Sequence, residues 1–258
     1  MSSTLSAHSP KFGSKLTTFE QLADIPVPVA LGPHHKPVPH IVLVDAIREE
    51  VATRGYDITR EQLAVSRTGA ALFGVMDLVP ADGSAMASVD RGLSFGFRNA
   101  TDATMAIRGV AGARVFVCDN LALSGDTFAM SRKNTTRLDL RWAIANGFDK
   151  FLRQSGDLET KIARLQSVEL TNDAAKVVIF DVFAAGLAPV RLFDDVERFY
   201  FRPDPGATDC QPRTLWGVMN AFTRAYRDLS PTRLFNASVA LGRRLLNGVI
   251  DVKADKVE

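Results

Sequence analysis

The sequence has few cysteines, no long apolar run and almost no net charge, and each shortage argues against a class of protein. Its 258 residues include two cysteines, Cys118 and Cys210, and no CxxC pair. A disulfide scaffold and a thiolate zinc site are therefore disfavoured, and free thiols favour a reducing compartment. Residues 1–16 lack the apolar run of a signal peptide, and no uncharged apolar run reaches the ~18 residues of a membrane span. We expect a cytoplasmic protein without membrane contact.

Apolar residues make up 46% of the chain and charged residues 23%, values typical of a globular protein with a sizeable core. The formal net charge is only +2. A polyanionic partner would therefore have to be recognised by a local basic cluster and not by overall charge.

Prolines and histidines concentrate in residues 1–40, which hold six of the twelve prolines and all four histidines. Repeated prolines remove amide donors and favour extended backbone, so this segment is interpreted as an arm along the domain surface. Residues 41–250 are expected to form a single domain, with a sheet-bearing part (41–135) and a helical part (136–250). Residues 251–258 are a charged tail. The histidines share no helical face, so no metal site is expected from them.

Local patterns give an α+β fold: an N-terminal antiparallel or mixed sheet with short helices, and a C-terminal helical half packed on it. The elements predicted for the first half are a helix at Ile41–Arg54 capped by Gly55, a hairpin within Tyr56–Pro80, a strand at Leu93–Arg98, a short helix at Thr101–Ile107 and a buried strand at Arg114–Cys118. Those predicted for the second half are helices near 140–152 and 158–168, Thr171–Ala185, Leu215–Leu229 and Leu234–Asn247. The Thr171–Ala185 segment is apolar nearly all round, which predicts the central buried helix.

The densest polar signature lies between Arg91 and Arg141, where eight residues are Lys or Arg and four are Asp. The arginine fork suits phosphate, and asparagine amides suit an anion or a base edge. The first candidate nucleic-acid contacts are Arg98, Asn99, Arg108, Arg114 and Asn120. The alternative is structural: the asparagines form turns, and the arginines pair with Asp102, Asp119 and Asp126.

Two further groups extend the candidate surface. Arg132, Lys133, Arg137 and Arg141 place positive charge at a helix start, where it opposes the helix dipole; phosphate binding would explain this, and a solvated face is the alternative. On helix 215–229, Trp216, Asn220 and Arg224 share a face suited to stacking on a base. A tryptophan that covers neighbouring core is the alternative there.

No residue is expected to be catalytic, and the P-loop, GxGxxG and HExxH motifs are absent. Cys118 would need a histidine base, and all histidines lie in the arm. One enzymatic alternative remains: Asp119 and Asp126 could bind magnesium in a nuclease-like hydrolase.

Several segments resemble one known family, the phage/plasmid-like proteins that contain domain of unknown function 932. The matching segments are the proline-histidine run before Ile41, GAALFGVMDL (Gly69–Leu78), FRNATD (Phe97–Asp102), GARVFVCDNLALSGD (Gly112–Asp126) and TLWGVMNAFT (Thr214–Thr223). The resemblance covers roughly residues 35–245. It implies a mobile-element context and no established catalytic residue.

Together these observations predict a non-enzymatic nucleic-acid-binding protein of a mobile element, binding or annealing single-stranded DNA in replication or recombination. No cofactor is expected, and a homo-oligomer is compatible with this role. The alternatives are the magnesium-dependent hydrolase and a protein that assembles with itself or with a host factor.

Overall fold

The computed structural model describes residues 14–83, 91–115, 120–123, 130–203 and 213–246. Seven strands occur in these ranges. They are β1 (Ser14–Thr17), β2 (Tyr56–Ser66), β3 (Ala71–Pro80), β4 (Arg91–Ala100), β5 (Ile107–Val115), β6 (Asn120–Leu123) and β7 (Met130–Arg132).

Six α-helices lie in the same described ranges. They are α1 (His40–Thr53), α2 (Leu140–Ser167), α3 (Asn172–Ala184), α4 (Phe193–Phe201), α5 (Leu215–Ala225) and α6 (Pro231–Leu245). None of the described helices is both long enough and apolar enough to cross a membrane.

The strands form one antiparallel sheet in the order β1-β2-β3-β4-β5-β6, with β7 also paired to β5. Strand β6 pairs with residues 112–115 of β5, and β7 pairs with residues 107–109. The two short strands therefore share one edge of β5. The predicted α+β fold, with a sheet in the N-terminal half and helices in the C-terminal half, is confirmed.

One face of the sheet is dry and aromatic. Phe95 and Phe97 of β4 pack there against Phe148 and Phe151 of α2, and α1 covers the neighbouring strands. Gly74 of β3 lies directly against the Phe97 ring, which leaves no space for a side chain. Because side chains along a strand alternate between the two faces, the intervening residues of β3 and β4 lie on the opposite face.

That opposite face is covered by α5 and α6, which contact β6 and β3. A small cluster there joins Phe73 and Val110 of the sheet to Phe235 and Val239 of α6. The remaining helices form a second core around α5, whose residues are all buried except Arg224.

Two predictions about burial in the helical half were wrong. Helix α3 is not the central helix, because Val177 (60% exposed) and Phe180 (65% exposed) face away from the core. Helix α5 takes that position and is buried on every side except at Arg224, because α2, α3, α4 and α6 pack around it. Both segments are apolar, and the choice between them depends on which one the other helices surround.

Two local predictions were also wrong. Thr101–Ile107 is not a helix: the Asp102 carboxylate accepts hydrogen bonds from the Thr104 amide (3.1 Å) and hydroxyl (2.6 Å), and Ala103 has φ 60°. Such side-chain bonds favour a turn over a helix. The two helices predicted near 140–152 and 158–168 are one helix, α2, since Asp157 lies inside it and does not cap a new start.

The first helix agrees with its pattern. Helix α1 buries Leu43, Val44, Ile47 and Val51 on one side, and Gly55 follows it with φ 75°, the left-handed conformation that glycine adopts without strain. In the predicted strand Arg114–Cys118, β5 ends at Val115 and residues 116–118 lie outside the described part of the chain.

Candidate nucleic-acid interface

The connection from β7 to α2, residues 133–139, is fastened to the proline-rich arm by backbone pairing. The Lys36 amide donates to the Asn134 carbonyl (3.3 Å), and the Thr136 amide donates to the His34 carbonyl (3.2 Å). An isolated antiparallel bridge joins His35 to Thr135. The arm therefore brings Lys36 beside the basic segment that starts α2.

A buried network of side-chain amides links this connection to the sheet and to the arm. Asn134 Nδ2 donates to Asn99 Oδ1 (3.0 Å) and to the Ala100 carbonyl (2.7 Å). Asn99 Nδ2 in turn donates to the Val38 carbonyl (2.8 Å) and to His40 Nδ1 (3.0 Å). Asn99, a predicted nucleic-acid contact, is fully buried and engaged in these bonds. Its position is that of a structural link between arm, sheet and connection.

His40 completes the network as a neutral ring. Its Nε2 donates to the Gly69 carbonyl (2.9 Å), which leaves Nδ1 as the acceptor for Asn99. Burial lowers the pKa of His40, although the Gly69 bond and the charge of Asp102 act in the opposite direction. Protonation would set Nδ1–H against the Asn99 amide donor, so the network needs the neutral form.

Helix α2 begins just beyond this connection. Asp139 caps it by accepting a hydrogen bond from the Trp142 amide (3.0 Å), a side-chain N-cap of the common kind. The Trp142 indole is 56% exposed, and the Arg132 guanidinium lies 5.5 Å from its ring centre. A cation at this distance from an aromatic face is attracted to it.

Further cations lie close to Trp142 in sequence, and the arm brings Lys36 to the same segment. Lys36, Lys133 and Arg137 are exposed on the arm and on the connection. The Arg141 side chain is 78% exposed and reaches Glu49 of α1 at 2.7 Å. A pair this exposed contributes little stability, so Arg141 can exchange Glu49 for another anion at small cost. We call Trp142, Arg132, Lys133, Arg137, Arg141 and Lys36 the basic–aromatic patch.

Two of the three predicted contacts on α5, Trp216 and Asn220, are in the interior, and Arg224 is half-buried. Trp216 is 4% exposed and belongs to the helical core. Asn220 Nδ2 donates to the Trp216 carbonyl one turn earlier (3.0 Å), and the Arg224 guanidinium lies 4.5 Å from the centre of the Phe199 ring. Trp216 therefore packs in the core, which was the alternative to stacking on a base. Its ring has no face open to a base.

Arg98 and Arg108 lie on the sheet face that α6 covers. They are direct cross-strand partners in the β4–β5 register. Arg132 pairs in register with Ile107, whose side chain belongs to the aromatic core on the other face. The arginines predicted as one group are thus divided between the two sides of the sheet.

The remaining candidates lie on β5 and β6 or outside the described residues. Arg114 and Asn120 lie on paired strands, with Arg114 opposite Leu121 and Asn120 opposite Val115. Asp119 and Asp126, the alternative magnesium ligands, lie outside the described residues. Within the described ranges no group of three or more His, Cys, Asp or Glu side chains could hold a metal ion. The hydrolase alternative stays a prediction.

Sequence reasoning missed two members of the patch, Trp142 and Lys36. For Trp142 a signal was available, because the apolar face of α2 runs through Ile144, Phe148 and Phe151 and leaves position 142 off that face. For Lys36 there was none, since its place depends on pairing between the arm and residues almost one hundred positions later.

Comparison with known proteins gives a family and no function. No curated protein and no solved structure matches the chain. One family model, described as "Domain of unknown function (DUF932)", matches residues 30–246, which include the arm from Ala30, the whole sheet from β2 onward and all six helices. Because the match covers most of the sequence, the chain belongs to the DUF932 family.

Proposed function

We propose that the chain binds single-stranded nucleic acid through the basic–aromatic patch. The observation that supports this most strongly is Trp142, an exposed indole with a guanidinium over its ring and three further cations within the adjoining ten residues. Aromatic side chains stack on unpaired bases, and neighbouring Lys and Arg neutralise the phosphates between them. A duplex keeps its base faces stacked inside, so the indole favours a single strand.

The family context favours DNA of a mobile element. The resemblance to phage/plasmid-like proteins supports a role in replication or recombination, where single strands are exposed and must be bound or annealed. Annealing proteins commonly work as oligomers, and a homo-oligomer would line up several patches along one strand. Binding is the first property to test, since annealing depends on it.

A salt titration with a fluorescent single-stranded oligonucleotide tests the electrostatic part. Contacts from Lys36, Lys133, Arg137 and Arg141 predict a slope of log K against log salt of about −3, at ~0.7 per neutralised phosphate. Duplex DNA of the same sequence should bind more weakly, because it offers no base to the indole. Absence of binding at low salt, or binding that salt leaves unchanged, contradicts the proposal.

Charge-neutral variants locate the contact. Lys133→Gln combined with Arg137→Gln should lower the steepness of the salt slope by about 1.4, the share of two phosphates. The matched control is Lys150→Gln with Arg153→Gln, which removes the same charge from exposed positions of α2. If the two double variants lose affinity and salt slope to the same extent, then net charge, and not the patch, sets the affinity.

Tryptophan fluorescence tests the stacking step directly. The chain has two tryptophans, one exposed (Trp142) and one buried (Trp216), so the buried one serves as an internal reference. An oligonucleotide should quench the exposed fluorophore, and Trp142→Phe should remove that quenching. Trp142→Ala should weaken binding about tenfold or more, since a stacked base contributes ~1–3 kcal/mol. Full affinity in Trp142→Ala excludes stacking at this residue.

Self-assembly is a second candidate, favoured by the outer face of α3. Val177 and Phe180 lie one turn apart there, with most of their side-chain surface in water. Light scattering should then report an oligomer that Phe180→Asp reduces to a monomer and that Lys150→Asp on α2 leaves intact. A monomeric wild-type chain at high concentration contradicts this second function and leaves the first one standing.

A further inference from the structure

The guanidinium of Arg98 lies in the seam between the sheet and α6. Its Nη1 donates to Asn236 Oδ1 (2.7 Å), and its centre is 5.5 Å from the centre of the Phe235 ring. Arg98 as a whole is 7% exposed. Asn236 lies on the outer surface of α6, so the seam reaches solvent beside this asparagine.

The charge of Arg98 has no compensating acid in the described part of the chain. Burial lowers the pKa of Arg98, and the nearby positive charge of Arg108 lowers it further. Its Nε makes no hydrogen bond to any described residue. Arginine still keeps its proton in proteins, so a buried positive charge persists here beside a second guanidinium.

The buried acid on this sheet face is too distant to pair with Arg98. Asp77 accepts a hydrogen bond from Ser94 Oγ (2.7 Å) and pairs in register with Ser94. Arg98 pairs in register with Phe73, four residues away along β3. At about 3.3 Å per residue this separation is about 13 Å. An uncompensated buried charge is costly, and such sites usually have a functional reason.

We propose that Arg98 and Asn236 form a binding site for a phosphate group at the mouth of this seam. The guanidinium of Arg98 carries a charge that no described acid neutralises, and planar guanidinium groups match phosphate oxygens. Asn236 accepts from Arg98 through Oδ1, which leaves its Nδ2 free to donate to the same ligand. A planar guanidinium that can bind two oxygens at once favours phosphate over chloride, which offers a single acceptor atom.

This site goes beyond the proposed strand-binding function, because it lies on the other side of the sheet from the basic–aromatic patch. Arg98 and Arg108 face α6, whereas Arg132 and Trp142 lie on the side of α2 and the aromatic core. The two sites can therefore succeed or fail separately. The phosphate could be free, part of a mononucleotide, or the 5′ end of a strand.

Thermal unfolding with inorganic phosphate is the first test, against sodium chloride at equal ionic strength. Phosphate at about ten times its dissociation constant should raise the Tm by about 3–5 °C for a chain of this size, in a saturable manner. A nucleoside monophosphate and oligonucleotides with and without a 5′-phosphate then distinguish the three sources. A wild-type chain whose Tm phosphate does not raise overturns the site.

Variants test whether the phosphate-induced rise in Tm depends on Arg98. Arg98→Met should lose the phosphate-induced rise while keeping or raising the basal Tm, since it removes a buried unpaired charge. Asn236→Asp should also lose the rise and increase the basal Tm, because it places a resident carboxylate on Arg98. Arg153→Met, an exposed arginine of α2, should keep the full rise.

A full phosphate shift in Arg98→Met or in Asn236→Asp overturns the site, as does its loss in Arg153→Met. Asn236→Asp alone decides the matter if Arg98→Met does not fold, because position 236 is on the surface. The double variant Lys133→Gln with Arg137→Gln should keep the phosphate shift. That result separates this site from the patch, whatever the oligonucleotide experiments give.

Discussion

The two faces of the sheet are built from the same strands and differ in chemistry. On one face Phe95 and Phe97 meet Phe148 and Phe151 in a cluster of stacked and edge-on rings. On the other face Arg98 is buried among Phe73 and the residues of α6. The aromatic face is explained by burial of apolar area alone.

The second face is not explained in that way. A guanidinium there loses its hydration without gaining an acid from the described residues, which lowers stability. The comparison teaches that one side of the sheet stabilises the fold through apolar burial, and that the other carries a buried guanidinium that lowers stability. If this is correct, substitutions on the two faces should have opposite effects.

Removal of Phe95 should have the largest effect. Its ring centre lies 4.7 Å from that of Phe148 and 5.2 Å from that of Phe151, and the side chain is fully buried. Phe95→Ala should therefore lower the free energy of unfolding by ~3–5 kcal/mol in urea denaturation. Val190→Ala at an exposed position is the control and should change it by under ~0.5 kcal/mol. Similar losses in the two variants would refute a stabilising aromatic face.

An added methyl group on the same face should have the next largest effect. A Cβ at position 74 would overlap the Phe97 ring, so Gly74→Ala should cost ~1–3 kcal/mol of unfolding free energy through overpacking. Gly32→Ala is the control, because a Cβ there meets nothing within 4 Å. Replacing Phe97 by Leu should restore part of the stability of Gly74→Ala. A neutral Gly74→Ala would show that the two strands are less tightly fixed.

The pH dependence of stability tests the role of the neutral His40 ring. Its pKa is lowered in the folded chain, so the unfolded chain binds more protons between that value and the ordinary pKa of 6.5. Stability is therefore complete above about pH 6.5 and falls as the pH drops through this window, by at most ~1.4 kcal/mol per pH unit for one proton. His40→Gln should give a flatter pH dependence between pH 7 and 5 in chemical denaturation. An unchanged slope would place the sensitive group elsewhere.

The smallest effect is expected at the exposed ion pair beside the patch. Glu49→Gln removes the acid that Arg141 contacts, which should change the unfolding free energy by less than ~0.5 kcal/mol. It should also strengthen binding of single-stranded oligonucleotides by up to a few fold, because Arg141 becomes available. Weaker binding in Glu49→Gln would mean that the pair positions Arg141 and does not compete for it.

Local patterns were sufficient where neighbours in sequence decide the structure. The apolar period of α1, the left-handed Gly55 and the Thr171 cap of α3, whose hydroxyl accepts from the Ala174 amide (3.2 Å), were all predictable. The hairpin of β2 and β3 was predictable for the same reason. The local hydrogen bonds of Asp102 were the exception, since they turn a helix-like segment into a turn.

For the candidate site, the basic segment before α2 was visible in the sequence, and Lys133, Arg137 and Arg141 are exposed in the structure. The roles of individual side chains were not. Trp142 and Trp216 both adjoin helix starts, but only the second is enclosed, because α5 is surrounded by four helices. Asn99 likewise has a turn-like sequence and becomes a buried link to His40 and Asn134.

Residue types and their spacing already determined most of the helices, the strand alternation and the presence of a basic segment, because these depend on neighbours within one or two turns. Tertiary packing decided which of two apolar helices is central, which tryptophan meets water and which arginine is buried. Those outcomes depend on contacts between residues far apart in sequence, such as Arg98 with Asn236. Local sequence patterns cannot predict such a contact, because the fold must first bring its two partners together.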